Sequence, residues 1–152
     1  MHTENEIATI VVDICFKIHS AYGPGLFESV YEEIFCYELA KTDIPFARQQ
    51  AIQLVHESIT MEIGFRADVI VDNKVIIELK SIEALAPVHY KQVQTYLKLT
   101  GCKLALLINF NVNLIKDGIH RIVNKLKKLC ASAPLRENKY YSLKFNSPVY
   151  LF

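Results

Sequence analysis

The chain has no tryptophan, two methionines, five glycines and five prolines in 152 residues. So little glycine and proline excludes a collagen-like or Pro/Gly-rich low-complexity chain, and no internal repeat points to a solenoid. The four cysteines, Cys15, Cys36, Cys102 and Cys130, are widely spaced, with neither a CxxC pair nor a Cys/His zinc pattern. A reducing, cytoplasmic setting with free buried thiols is the simplest expectation. Charge of one sign is missing too. Lys and Arg number 17 against 16 Asp and Glu, a net charge of +1, so any positive charge that serves a nucleic acid must be local. No apolar run approaches the roughly 18 residues of a membrane span, and no membrane association is expected. The opening residues, Met1-His2-Thr3-Glu4-Asn5-Glu6, are polar and acidic, unlike a secretory or mitochondrial leader.

What is present is ordinary globular material, with 51% hydrophobic and 22% charged residues. A chain of this length forms about one domain and buries roughly 68–70% of its unfolded surface, so its core needs no staples.

Ile7, Ile10, Val11, Ile14 and Ile18 recur at helical spacing, which predicts a helix over 5–21. Tyr22-Gly23-Pro24-Gly25 breaks it. A second helix is expected from Leu26 to Lys41, with Leu26, Val30, Ile34 and Leu39 among its buried positions. From Phe46 the period changes to two. Strands are expected up to His56, over Ile59–Phe65, and as a hairpin of Asp68–Val71 with Val75–Leu79 around Asp72-Asn73-Lys74. Residues 88–100 return to helix before Gly101, and Lys103–Phe110 reads as a strand buried on both faces. A short strand or helix follows around Ile119–Leu129, then a tail that is polar and later aromatic. That order implies an α/β or α+β arrangement with one mixed sheet flanked by helices.

The chemistry concentrates in the hairpin. Glu78 and Lys80 stand two apart on a strand and leave one face, with apolar Ile77 and Leu79 on the other. A three-residue loop, Asp72-Asn73-Lys74, sets Asp68 directly opposite Glu78, whereas a two-residue loop sets it opposite Ile77. Arg66, two before Asp68, is expected on the same face, within reach of a phosphate or an acid. Two carboxylates and an ammonium on one face suit a hard cation such as Mg²⁺ (or Mn²⁺), which takes carboxylates, waters and phosphate oxygens. The metal would activate a water, and the lysine would act on that water or on the developing phosphate charge.

Around this core stand three further patterns. Gly25-Leu26-Phe27-Glu28-Ser29-Val30-Tyr31 reads G-x-x-E-x-x-Y; Gln92-Val93-Gln94-Thr95-Tyr96 reads Q-x-x-x-Y; and Leu107-Ile108-Asn109-Phe110 ends the following strand. Together with Asp68 and Glu78-Leu79-Lys80, a D-x(n)-(D/E)-x-K core, these resemble the GxxExxY protein family (PDDEXK_3) of the PD-(D/E)XK nuclease superfamily, over about residues 5–125. Ala67 stands where that motif carries its proline. The resemblance implies a restriction-endonuclease-like α/β fold with a mixed β-sheet flanked by α-helices, and a Mg²⁺-dependent nuclease acting on DNA or RNA. It implies that Asp68, Glu78 and Glu28 hold metal, that Lys80 is the catalytic lysine, and that Gln92 and Tyr96 support the site or contact the nucleic-acid backbone. The chain is expected to divide into a nuclease-like domain, 1–131, and a C-terminal extension, 132–152, packing on the same domain or on a partner.

Each feature has a plainer alternative. The hairpin charges could be a solvated cross-strand cluster, Glu28 a first-turn glutamate complementing a helix dipole, Tyr31 a packing residue, His19 a helix-end histidine, and Lys125, Lys127 and Lys128 solvated surface. The competing functions are a catalytically silent nucleic-acid-binding module that retains the fold, and an interaction protein whose tail (Tyr140, Tyr141, Phe145, Tyr150, Phe152) mediates self-association as a homodimer.

Overall fold

The structure is a computed structural model describing residues 2–124. The C-terminal extension, the three-lysine cluster and Cys130 lie outside those residues. The chain runs α1 (Glu4–Tyr22), α2 (Glu28–Ala40), β1 (Phe46–His56), β2 (Ile59–Val71), β3 (Val75–Lys80), α3 (Pro87–Thr100), β4 (Leu104–Asn109), α4 (Ile115–Gly118) and β5 (Ile119–Val123). Thr3 starts α1 through a capping box. Its hydroxyl accepts the Glu6 N–H at 3.3 Å, and the Glu6 carboxylate accepts the Thr3 N–H at 2.7 Å.

The five strands lie in the order β1-β2-β3-β4-β5. Neighbours are antiparallel except β3 and β4, which are parallel and joined by α3, as a parallel pair requires a crossover. The central strands β3 and β4 are covered on both faces, which is why Leu104–Asn109 is inaccessible throughout, whereas edge strand β1 is largely exposed. On one face α1 and α2 pack over Val69, Val71, Val75, Ile77, Leu79, Leu106 and Phe110. On the other α3 packs over Ala67, Ile70, Ile76, Ala105 and Leu107.

Two expectations change. Helix α2 begins at Glu28, after Leu26, and its buried stripe is Tyr31, Glu32, Phe35, Cys36 and Leu39. Val30 is 39% exposed, because the two aromatic rings one turn apart claim the core-facing side. The segments expected as separate strands over 59–65 and 68–71 are one continuous strand, since Phe65, Arg66 and Ala67 keep pairing with Ile52, Ala51 and Gln50.

The hairpin register is the one the site requires. Asp72 and Asn73 take φ of 50° and 52°, and Val71 pairs with Val75, Ile70 with Ile76 and Val69 with Ile77. One step further brings Asp68 level with Glu78.

Candidate active site

Strand β3 carries the centre. Glu78 is 2% exposed and points to the α3 side, while Ile77 and Leu79 point into the α1–α2 core. Lys80 closes the strand, and its ammonium donates to Glu78 Oε1 at 2.8 Å, to the Leu79 carbonyl at 3.0 Å and to Glu28 Oε1 at 3.4 Å. Buried Asn109, at the end of β4, fixes the backbone beyond Lys80: its side chain accepts the Ile82 N–H at 3.1 Å and donates to the Ile82 carbonyl at 2.8 Å. Gly118 makes this corner feasible, because a Cβ there would lie 2.1 Å from the Asn109 carbonyl oxygen.

Glu28 comes from the first turn of α2, and the G-x-x-E-x-x-Y pattern explains how it reaches β3. Gly25 adopts φ +109°, a conformation that side-chain-bearing residues avoid. Tyr31 is fully buried; its hydroxyl donates to the Gly23 carbonyl at 2.6 Å and accepts the Leu26 N–H at 3.3 Å. Its ring stacks on Phe110 with centroids 4.3 Å apart. Tyr31 therefore ties the Gly23–Leu26 connection to the end of β4. Ser81 adds a bond from its hydroxyl to the Leu26 carbonyl at 2.6 Å.

Asp68 stands where the β2–β3 ladder opens. Its Oδ2 accepts the Leu79 N–H at 2.8 Å, and its Oδ1 accepts the Gln49 amide at 3.3 Å. The same Gln49 amide donates to Glu32 Oε2 at 2.7 Å, and Arg48 donates twice to Glu32 Oε1, at 3.2 and 3.0 Å. Glu32 lies one turn beyond Glu28 on α2, so both carboxylates face the site. Arg48, Gln49 and Glu32 carry no sequence pattern of their own, and Asn109 stands out only within the strand-ending Leu107-Ile108-Asn109-Phe110. The one local signal was the i, i+4 spacing of Glu28 and Glu32.

From the opposite layer, the Gln92 amide donates to Glu78 Oε1 at 3.3 Å and to the Tyr96 hydroxyl at 2.5 Å. Tyr96 is 2% exposed, so the pair faces inward and braces Glu78. Arg66 departs from expectation. Its neighbours Phe65 and Ala67 both belong to the α3-side cluster, whereas Val69 belongs to the other face. The alternation inverts at the Gln49/Asp68 step, where Gln49 takes φ +48°, and exposed Arg66 leaves on the opposite face. His19 is a helix-end histidine, with Nε2 2.8 Å from the Val112 carbonyl.

The electrostatics follow from burial. Desolvation, reinforced by the Asp68 charge, pushes Glu78 up to about 7 against the Lys80 hydrogen bond that favours its ionised form. Desolvation also raises Asp68, opposed by the Leu79 N–H. Burial alone would lower Lys80, but its bond to Glu78 and the charges of Glu78, Asp68 and Glu28 carry it above the ordinary lysine value. Burial raises Tyr96 as well. Glu78 Oε2 is buried with no hydrogen-bond partner, the one such side-chain atom among the described residues. An orphaned carboxylate oxygen is costly. With Asp68 and Glu28 beside it, this hard-oxygen donor set has the chemistry for a hard divalent cation. Among the described residues, however, no three acid, histidine or cysteine side chains stand at ligand spacing, and the Lys80 ammonium lies between Glu28 and Glu78.

A mixed sheet with helices on both faces and an acid–acid–lysine cluster at an opening hairpin defines a restriction-endonuclease-like α/β protein. Residues 5–122 match the PDDEXK_3 family of the PD-(D/E)XK nuclease superfamily, and the chain belongs to that superfamily. Its members generally use divalent metal ions to act on nucleic acids. No curated protein and no solved structure matches the chain. No described helix is long and apolar enough to cross a membrane, and Cys15, Cys36 and Cys102 are free and buried.

Proposed function

We propose that the protein is a Mg²⁺- or Mn²⁺-dependent nuclease that hydrolyses phosphodiester bonds of DNA or RNA. The observation that carries this reading is the orphaned Glu78 oxygen, buried beside Asp68 and a lysine, at a site where nothing in the fold rewards such a cost. Asp68, Glu78 and Glu28 would hold the cation. When bound, it would lower the pKa of a water and offset phosphate charge. Lys80, kept protonated by Glu78, is suited to donate to charge developing on the phosphate rather than to take a proton. Gln92 and Tyr96 hold Glu78 in place, and their inward orientation favours this supporting role over contact with the nucleic-acid backbone. Arg66, exposed on the other face, is suited to a phosphate outside the immediate site.

Cleavage of end-labelled DNA and RNA by the purified chain, with Mg²⁺ or Mn²⁺ and not with EDTA, is the expected result. Lys80→Ala should abolish it. Cleavage that survives this substitution would overturn the assignment of the site.

A second reading, a catalytically silent nucleic-acid-binding or interaction module, is favoured by one observation: no described acidic triad stands at ligand spacing. It expects salt-sensitive binding without cleavage under either metal, and tolerance of Glu78→Gln.

Within the superfamily we assign the chain to the GxxExxY family, because Gly25, Glu28 and Tyr31 each have a physical task in presenting Glu28. We read residues 132–152 as an extension of the 1–131 domain, packing on it or on a partner such as a second copy, and the setting as cytoplasmic.

A further inference from the structure

Helix α2 starts on a residue that helix starts avoid. Its N-cap is Phe27, which offers no side-chain hydrogen bond, where Ser, Thr, Asp or Asn is preferred. Phe27 is also 82% exposed. A lone exposed apolar residue is ordinary on a protein surface; what sets Phe27 apart is its seat. On its C-terminal side is Glu28, which meets Lys80 at 3.4 Å. On its N-terminal side is Leu26, whose carbonyl is held by Ser81, the residue after Lys80, at 2.6 Å. Its own carbonyl accepts the Val30 and Tyr31 N–H groups at 3.0 and 3.2 Å. The ring therefore stands on a fixed backbone at the rim of the site, with half-exposed Val30 one turn along the same side.

The surrounding charge explains what such a ring would add. Glu28, Glu32, Glu33, Asp68 and Glu78 outnumber Lys80 and Arg48, so the site attracts a polyanion poorly by charge alone. An aromatic face offers attraction independent of phosphate, and it works on any base that is not already stacked within a duplex.

We propose that Phe27 is the platform on which an unpaired base beside the scissile phosphate stacks, making single-stranded nucleic acid the preferred substrate; this rests on the nuclease reading above. Base–aromatic stacking is sequence-tolerant, so the platform selects strandedness and not sequence.

The test is fluorescence anisotropy with the full chain and no added metal. The probes are an end-labelled single-stranded oligonucleotide, an abasic strand of the same length, and the matching duplex. The wild type should bind the single strand about 5- to 150-fold more tightly than the abasic strand, the range expected of one stacked base. Phe27→Ser should bring that ratio close to one, and Phe27→Trp should preserve it. Because serine caps helices well, Phe27→Ser should melt no lower than the wild type, which separates lost stacking from lost folding. A Phe27→Ser variant that keeps the wild-type ratio, as a protein-docking role would give, overturns the proposal. So does an equal loss of affinity for single and abasic strands. Wild-type protein that neither binds nor cleaves any nucleic acid overturns this and the nuclease reading together. Cleavage accompanied by base-indifferent binding overturns this one alone.

Discussion

The Asp68 carboxylate accepts the Leu79 backbone N–H at 2.8 Å, just past the last backbone pair between the two strands, Val69 opposite Ile77. A side chain thus replaces a carbonyl where the ladder opens, and the opening gives Glu78 and Lys80 their space. Asp68 consequently has two separable roles, as ladder acceptor and as charge. Asp68→Ala leaves a buried N–H unsatisfied and should cost about 1–3 kcal/mol in urea denaturation. Asp68→Asn keeps an acceptor oxygen and should stay within about 1 kcal/mol of wild type, yet lose metal binding and cleavage as completely as the alanine variant. Equal stability losses in the two variants would show that the carboxylate is not the ladder acceptor.

Glu78 ties stability to pH in a direction unusual for a carboxylate. Its folded pKa is raised from 4.5 to about 7, so between those values the native state holds a proton that the unfolded state has released. The contribution is fully present below pH 4.5 and is lost as pH rises through 7, a difference on the order of 3 kcal/mol. Glu78→Gln has no proton to lose. Urea denaturation should find the variant more stable than wild type at pH 8, with the difference shrinking towards pH 5. A difference that does not change with pH would contradict the raised pKa.

The same titration should govern metal uptake at the proposed site. On the proposed ligand set a cation would replace the Glu78 proton, so binding below pH 7 should release close to one proton, and affinity should rise about tenfold per pH unit before levelling above pH 7. Calorimetric titration of Mn²⁺ in two buffers of different ionisation enthalpy measures both quantities. Binding that is independent of pH between 5.5 and 7 would remove Glu78 from the ligand set.

How much of this was legible in sequence depends on how local each cause is. Glu78 and Lys80 sharing a face follows from strand geometry, and the Asp72-Asn73-Lys74 turn set Asp68 level with Glu78, as the register bears out. Glu28 could be placed only through a pattern, since its approach to Lys80 depends on Gly25, Tyr31 and Phe110 acting across three elements. Strict alternation places Arg66 on the face of Asp68, but the pleat inverts between them, where Gln49 takes φ +48°, and puts Arg66 on the other face. The meeting of Glu32 and Gln49 leaves no sequence signal, because it requires a left-handed glutamine within a strand, a conformation no spacing rule anticipates.

Gln49 offers the sharpest separation of stability from function. At φ +48° it pays the left-handed penalty of an L-residue, about 1–2 kcal/mol, and one amide joins Glu32 to Asp68 at 2.7 and 3.3 Å. Glycine takes that φ freely but cannot orient either carboxylate. Gln49→Gly should therefore hold or gain up to about 1 kcal/mol in urea denaturation while losing about 10- to 100-fold in Mn²⁺ affinity, the usual penalty for removing an outer hydrogen bond from a metal ligand. Gln49→Asn, which retains the amide and tolerates left-handed backbone, should recover part of that affinity. The double variant Gln49→Gly with Glu32→Gln decides whether the effect runs through Glu32. If Gln49 acts only by holding Asp68, the second substitution adds its full independent loss; if it acts by joining the two carboxylates, the losses are less than additive.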